Sequence, residues 1–142
     1  MSTAILTYLF ITTSVQFNLP PELLSSLCYI ESTHNINSIH INDGGSNSYG
    51  ICQIKLGTAK HFGFKGNSKQ LMDPAVNIHY AAKYLSYQHK RYKSITKAVI
   101  AYNRGNAKHL TKTSYSDRVL KQWRSTNVRS ESRTSKKYAD RY

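Results

Sequence analysis

Leu23-Leu24-Ser25-Ser26-Leu27-Cys28-Tyr29-Ile30-Glu31-Ser32 is the stretch on which the fold turns. Leu23, Leu27 and Ile30 recur at i, i+4 and i+7, and Leu24, Cys28 and Glu31 repeat that spacing one residue later, the period of a helix with a buried face. Just before it, Asn18-Leu19-Pro20-Pro21-Glu22 reads as a helix entrance, because proline is tolerated in a first turn and an acid there suits the helix dipole. The spacing predicts a helix that follows this entrance and ends near Ser32. Glu31, a carboxyl, continues an otherwise apolar stripe.

Beyond the helix, residues 33–49 turn to Asn, Ser, Gly, Ile and His around Asn42-Asp43-Gly44-Gly45, which is turn chemistry between two short β-prone runs and predicts a small hairpin or irregular loop. From Asp73-Pro74 to Tyr92, Val76, Tyr80, Tyr84 and Tyr87 fall at helical spacing, with Ala81 and Leu85 widening the face. Ser94 is a candidate N-cap for a further helix carrying Ile95, Ala98, Val99 and Tyr102, which Gly105 should stop. A last short helix is expected to hold Val119, Leu120 and Trp123. Residues 125–142, rich in Ser, Arg and Lys, read as a basic tail that is mobile or loosely packed. In the other direction, residues 4–11 are apolar but far short of the roughly 20 needed to span a bilayer. With no Lys or Arg before Lys55, a first helix of the domain is favoured over a signal peptide. The expected architecture is mainly α: one helical domain over residues 1–124 with a small β element after the Glu31 helix, followed by the tail.

With 142 residues, one domain with a real core is expected. The net charge of +13 and pI near 9.9 predict attraction to a polyanion: nucleic acid, anionic membrane or bacterial wall. No helix-turn-helix, zinc-finger or RNP signature is present, and from Lys55 onward the basic residues are spread out instead of concentrated on one segment, so nucleic acid is not the expected partner. No stable membrane insertion is expected either, and a monomer is. The six histidines include no HExxH and no Cys/His quartet, so neither a metal nor a cofactor is predicted. Cys28 and Cys52 lack CxxC spacing and read as small core residues, a disulfide between them being the alternative. Carboxylate chemistry must come from Glu22, Glu31, Asp43, Asp73, Asp117, Glu131 or Asp140, the complete set of acids.

A carboxyl on a buried stripe near the C-terminal end of a helix loses water and faces the negative end of the dipole, and both effects raise its pKa. That is what a general acid needs near neutral pH. A surface Glu at a frayed helix end is the competing reading.

Glu31-Ser32, Asn35 and Gly45-Ser46-Asn47-Ser48-Tyr49-Gly50-Ile51-Cys52-Gln53-Ile54 resemble the catalytic segment of lysozyme-like muramidases and of soluble lytic transglycosylases, the latter matching best. Asp73-Pro74, Asn77-Ile78, Tyr84-Leu85 and Ala101-Tyr102-Asn103-Arg104-Gly105 are similar to that family's later motifs in the same order, so the resemblance spans roughly residues 19–123. It implies a lysozyme-like α+β fold with Glu31 as the sole catalytic acid and base. The substrate implied is the peptidoglycan glycan strand, cut between N-acetylmuramic acid and N-acetylglucosamine with formation of a 1,6-anhydro sugar.

Hydrolytic glycosidases usually use two carboxyls. The lysozymes with a GSxDYG segment place an acid where this chain has Ser48, a departure that argues against a two-carboxylate hydrolase. Asp43 is the other acid in the loop after Glu31 and the one rescue for a hydrolase on the same bond, although a turn former before Gly44 is its simpler role. The resemblance implies that Gln53 binds the sugars' acetamido groups, for which its donor and acceptor are suited. Tyr102 can pack its ring while its hydroxyl holds Glu31 or a sugar oxygen, or can be a plain core tyrosine. Asn103 would support that region, and Ser46 and Ser48 would reach substrate from the loop, though helix ends and turns favour these residue types without function. Arg104 stands where the family usually has Gly or Ala. Tyr80, Tyr84 and Tyr87 read as core or half-buried packing in preference to sugar platforms. A degenerate polyanion-binding domain is the more distant functional alternative. Action at the bacterial wall or periplasm is expected, reached from a phage virion or through a membrane lesion.

Overall fold

The computed structural model describes residues 1–139. Its elements follow the order α1 (Thr3–Gln16), α2 (Leu23–Ser32), β1 (Ile39–Asp43), β2 (Ser46–Tyr49), β3 (Ile54–Lys55), α3 (Leu56–His61), α4 (Ser68–Leu71), α5 (Pro74–Tyr92), α6 (Ile95–Arg104) and α7 (Ser114–Ala139). This is the mainly helical, lysozyme-like α+β architecture expected from the sequence.

Local chemistry accounts for most boundaries. Asp73 caps α5 by accepting from Val76 N at 3.1 Å ahead of Pro74, and Ser94 caps α6 by accepting from Lys97 N at 3.2 Å. Gly105 ends α6 with φ +85°, a conformation that costs glycine nothing. Asn67 and Gln70 form a reciprocal capping box on α4, which hydrophobic spacing did not reveal because that helix has only four residues.

Two expectations are corrected, and that of a hairpin is met and extended. The prolines lie ahead of α2 instead of inside its first turn: Leu23 N donates to Pro20 O at 3.3 Å, and Glu22 takes the left-handed region at φ +66°. The hairpin carries a third strand, giving an antiparallel sheet ordered β1-β2-β3 in which Ser48 and Tyr49 face Lys55 and Ile54. The short last helix is a 26-residue one that runs on past Trp123 through most of the expected tail. Ser, Arg and Lys on its outer side mask the helical period, because a helix that has left the core has no apolar stripe to display.

The main core joins Leu23, Leu24 and Leu27 of α2 to Ile78, Ala81 and Leu85 of α5, Val99 and Tyr102 of α6, and Val119 of α7. Helix α5 is the organising element: it packs on α1, α3, α4 and α6 and reaches β3. Helix α7 lies against α2 and is fastened there by Trp123 Nε1, which donates to Pro21 O at 2.8 Å. Among the described residues no helix is long and apolar enough to cross a membrane.

Candidate active site

Cys28, Glu31 and Ser32 all sit in the last two turns of α2, and each fixes that helix end differently. Cys28 is joined by a disulfide to Cys52, with 4.3 Å between their Cα atoms, so the two cysteines are both buried core and a covalent staple. Ser32 Oγ donates to Ile51 O at 2.6 Å and accepts from Asn35 N at 3.1 Å. The 50–53 turn is thereby held against the helix that carries Glu31.

From the other side, the turn is held by Asn77, a fully buried residue of α5. Its Nδ2 donates to Tyr49 O at 2.8 Å and Leu71 O at 2.9 Å, and its Oδ1 accepts from Cys52 N at 2.9 Å. Gly50 lies directly on this amide; a Cβ there would overlap the Asn77 side chain, and its φ of +77° already favours glycine. Tyr102 Oη donates to Cys52 O at 2.7 Å. Three elements thus converge on one short turn, which buried and satisfied polar groups hold in one geometry.

Beside this turn opens a cleft of about 220 Å³ lined by Glu31, Asp43, Ser48, Gln53, Tyr102 and Asn103, together with Lys55 and Arg104. Of the six residues singled out from the sequence, it brings five together. Ser46, exposed at the hairpin end opposite Asp43, is not among its walls. Gln53 Nε2 is engaged by Ser38 O at 3.0 Å and Gly50 O at 2.9 Å, which leaves Oε1 as the polar atom it can offer a ligand. The Tyr102 hydroxyl proton is likewise committed to main chain, so what it retains for another group is an acceptor.

Burial pushes the Glu31 carboxyl up to about 7 from 4.5; Tyr115 opposes the shift, Asp43 adds to it by charge repulsion, and Arg118 opposes it by attraction. Tyr115 and Arg118, both on α7, were missed by the sequence reading. The Tyr115 hydroxyl is buried and closes no hydrogen bond of ordinary geometry among the described residues, yet it lies close enough to Glu31 to favour the carboxylate. The signal that would have found it is the i, i+4 pair Tyr115 and Val119 at the head of α7.

Asp43 does more than end a strand. Its Oδ2 accepts from Ser48 Oγ at 2.7 Å, and its carbonyl accepts from Lys55 Nζ. Ser48 of β2 therefore binds a carboxylate supplied by the neighbouring strand.

A model of the transglycosylase SLT domain matches residues 8–124. The chain belongs to that family. Protein IpgF of Shigella flexneri and Protein IpgF of Shigella sonnei are each 34% identical to it over 94 residues, which are 65% of this chain. The matched part spans 62% of the length of either relative. No solved structure matches the chain. Within the SLT domain so defined lie Glu31, every wall of the cleft, and the Tyr115 and Arg118 side chains that act on Glu31.

Proposed function

We propose that the protein is a peptidoglycan lytic transglycosylase, with Glu31 as its single acid and base. The observation that carries this reading is a half-buried carboxyl whose pKa stands near 7 in a cleft rimmed by polar side chains. Such a group is protonated in a large fraction of molecules at neutral pH, as a proton donor to a leaving oxygen must be. Glu31 gives its proton to the glycosidic oxygen; the bond from that oxygen to C1 of the muramyl residue breaks, and the electron pair leaves with the departing sugar. The carboxylate then takes the proton of the muramyl C6 hydroxyl as O6 bonds to C1. No water is consumed, and Glu31 ends protonated as it began. Holding the ring so that O6 faces C1 gives the internal nucleophile a high effective molarity.

Ser48, Gln53 Oε1, Tyr102 and Asn103 line the space in which the sugars would lie and are proposed to orient them. The surface charge of +13 favours approach to an anionic wall. Mass spectrometry of soluble products from purified peptidoglycan tests the reading. Anhydro-muramyl products that disappear in Glu31→Gln are expected, since that substitution keeps the shape and removes the proton. Absence of products from both proteins sinks it.

Asp43 supports a second reading, a hydrolase on the same bond, because it places another carboxylate in the Glu31 cleft where a water could be activated. Reducing muramyl ends that vanish in Asp43→Asn would establish that reading in place of the first.

A further inference from the structure

The cleft does not end beside Glu31. Thr58, Tyr84 and Gly105 wall it and also wall an adjoining, larger and more open chamber of about 330 Å³. This chamber is aromatic: the Phe62 ring centroid lies 5.6 Å from that of Tyr84 and 5.2 Å from that of Tyr87. Tyr84 and Phe62 are half-buried, whereas Tyr87 is 46% exposed. That exposure separates Tyr87 from the packing role that helical spacing assigned to all three α5 tyrosines.

Arg91, one turn further along α5, also lines the chamber. Its Nη1 donates to Gly105 O at 3.2 Å and to Gln88 Oε1 at 3.5 Å, and its Cζ stands 4.8 Å from the Tyr92 ring centroid. These contacts hold the guanidinium in place while leaving the Nε and Nη2 donors for a ligand. No Asp or Glu lines the chamber, so the fixed positive charge is not neutralised from within.

We propose that this chamber is a subsite for the glycan strand on its way past Glu31, in which Tyr87 and Phe62 pack against a sugar face and Arg91 pairs with a carboxylate of the peptide stem. The inference rests on the proposed peptidoglycan substrate and names the part of it recognised away from the scissile bond. A sugar presents an apolar face of C–H groups that aromatic rings cover well, but neutral amino sugars need no cation. A guanidinium already held on two sides matches a carboxylate in planar, two-point fashion and loses little freedom on binding it. Continuity with the Glu31 cleft places both contacts on one path.

The test uses Glu31→Gln protein, which holds substrate uncut, and two probes: a tetrasaccharide fragment of peptidoglycan bearing its peptide stems, and neutral chitotetraose. Adding Arg91→Ala should weaken the stem-bearing probe about tenfold and leave chitotetraose unchanged. Arg91→Lys should recover only part of the loss, because a point charge lacks the fork. Tyr87→Ala should weaken both probes, about fivefold each. Equal effects of Arg91→Ala on the two probes, or none, overturn the carboxylate assignment; unchanged binding in Tyr87→Ala removes the chamber from the glycan path. Wild-type protein that releases no sugar from peptidoglycan refutes the underlying function, a failure read separately from these affinities.

Discussion

Glu31 lines the cleft at a cost to the stability of the fold. Its pKa is raised to about 7, so the native state holds a proton that the unfolded chain, near 4.5, has already released. Between those values the native state binds more protons, and stability falls as pH rises. The penalty is absent below about pH 4.5 and complete above about pH 7, where the shift of roughly two and a half units corresponds to about 3 kcal/mol. Glu31→Gln should therefore stabilise the protein by up to about 3 kcal/mol at pH 8 and by little at pH 4.5. Urea denaturation at the two pH values measures this, and equal gains at both would show that the carboxyl is not desolvated. The same titration predicts that wall-degrading activity declines as pH rises through about 7, when the proton donor is lost. Asn77 is the second residue on which the site depends. Asn77→Ala leaves Cys52 N and the Tyr49 and Leu71 carbonyls without their partner, and should cost about 3 kcal/mol. A loss below about 1 kcal/mol would mean that the 50–53 turn is held by the disulfide and Ser32 alone.

At the scale of elements, the site is a joint between α2, the three-stranded sheet and α6, closed by α7. The disulfide crosses this joint, linking residues 24 apart in sequence and tying α2 to the turn before Gln53. Chain-entropy arguments put such a link at about 3 kcal/mol. Reduction, or Cys28→Ser with Cys52→Ser, should lower the thermal midpoint and reduce activity more steeply than stability, because the freed turn carries both Gln53 and the carbonyl that Tyr102 binds. Comparison of activity and melting in oxidised and reduced protein decides it; identical activity would show that hydrogen bonds suffice to position the cleft. The elements themselves were unequally visible in the chain. Helices α5 and α6 were readable to within a residue, since each combines an apolar stripe with an N-cap, and Gly105 marks the end of α6. The third strand and α4 were not, because two- and four-residue elements carry too few side chains to show a period. Tyr115 was hidden for a related reason: at the head of α7 it belongs to a stripe that soon leaves the core.

For the whole molecule the dominant physical fact is charge. A net +13, with every Lys and Arg in residues 55–142, gives a long-range attraction to anionic polymers that salt screens, with a Debye length near 10 Å at 0.1 M and about 3 Å at 1 M. Peptidoglycan degradation should fall several-fold as ionic strength rises across that range, while turnover of a small soluble fragment changes little. Equal sensitivity of the two substrates would assign the salt effect to the cleft instead of the surface.

The sequence by itself determined the helical class, the caps and periods of α5 and α6, the family, and the identity of the carboxyl worth following. Those properties depend on residues near one another in the chain, or on motifs whose order survives in one dimension. Only the tertiary structure decided that Cys28 and Cys52 are joined, that Asn77 holds the Gly50 turn, that Asp43 enters the cleft through Ser48, and that Tyr87 and Arg91 line its continuation. Each of these rests on groups brought together across strands and helices, and the pKa of Glu31 follows from the same cause: a carboxyl's affinity for its proton is set by the water it loses and the charges it meets, and both are fixed by packing.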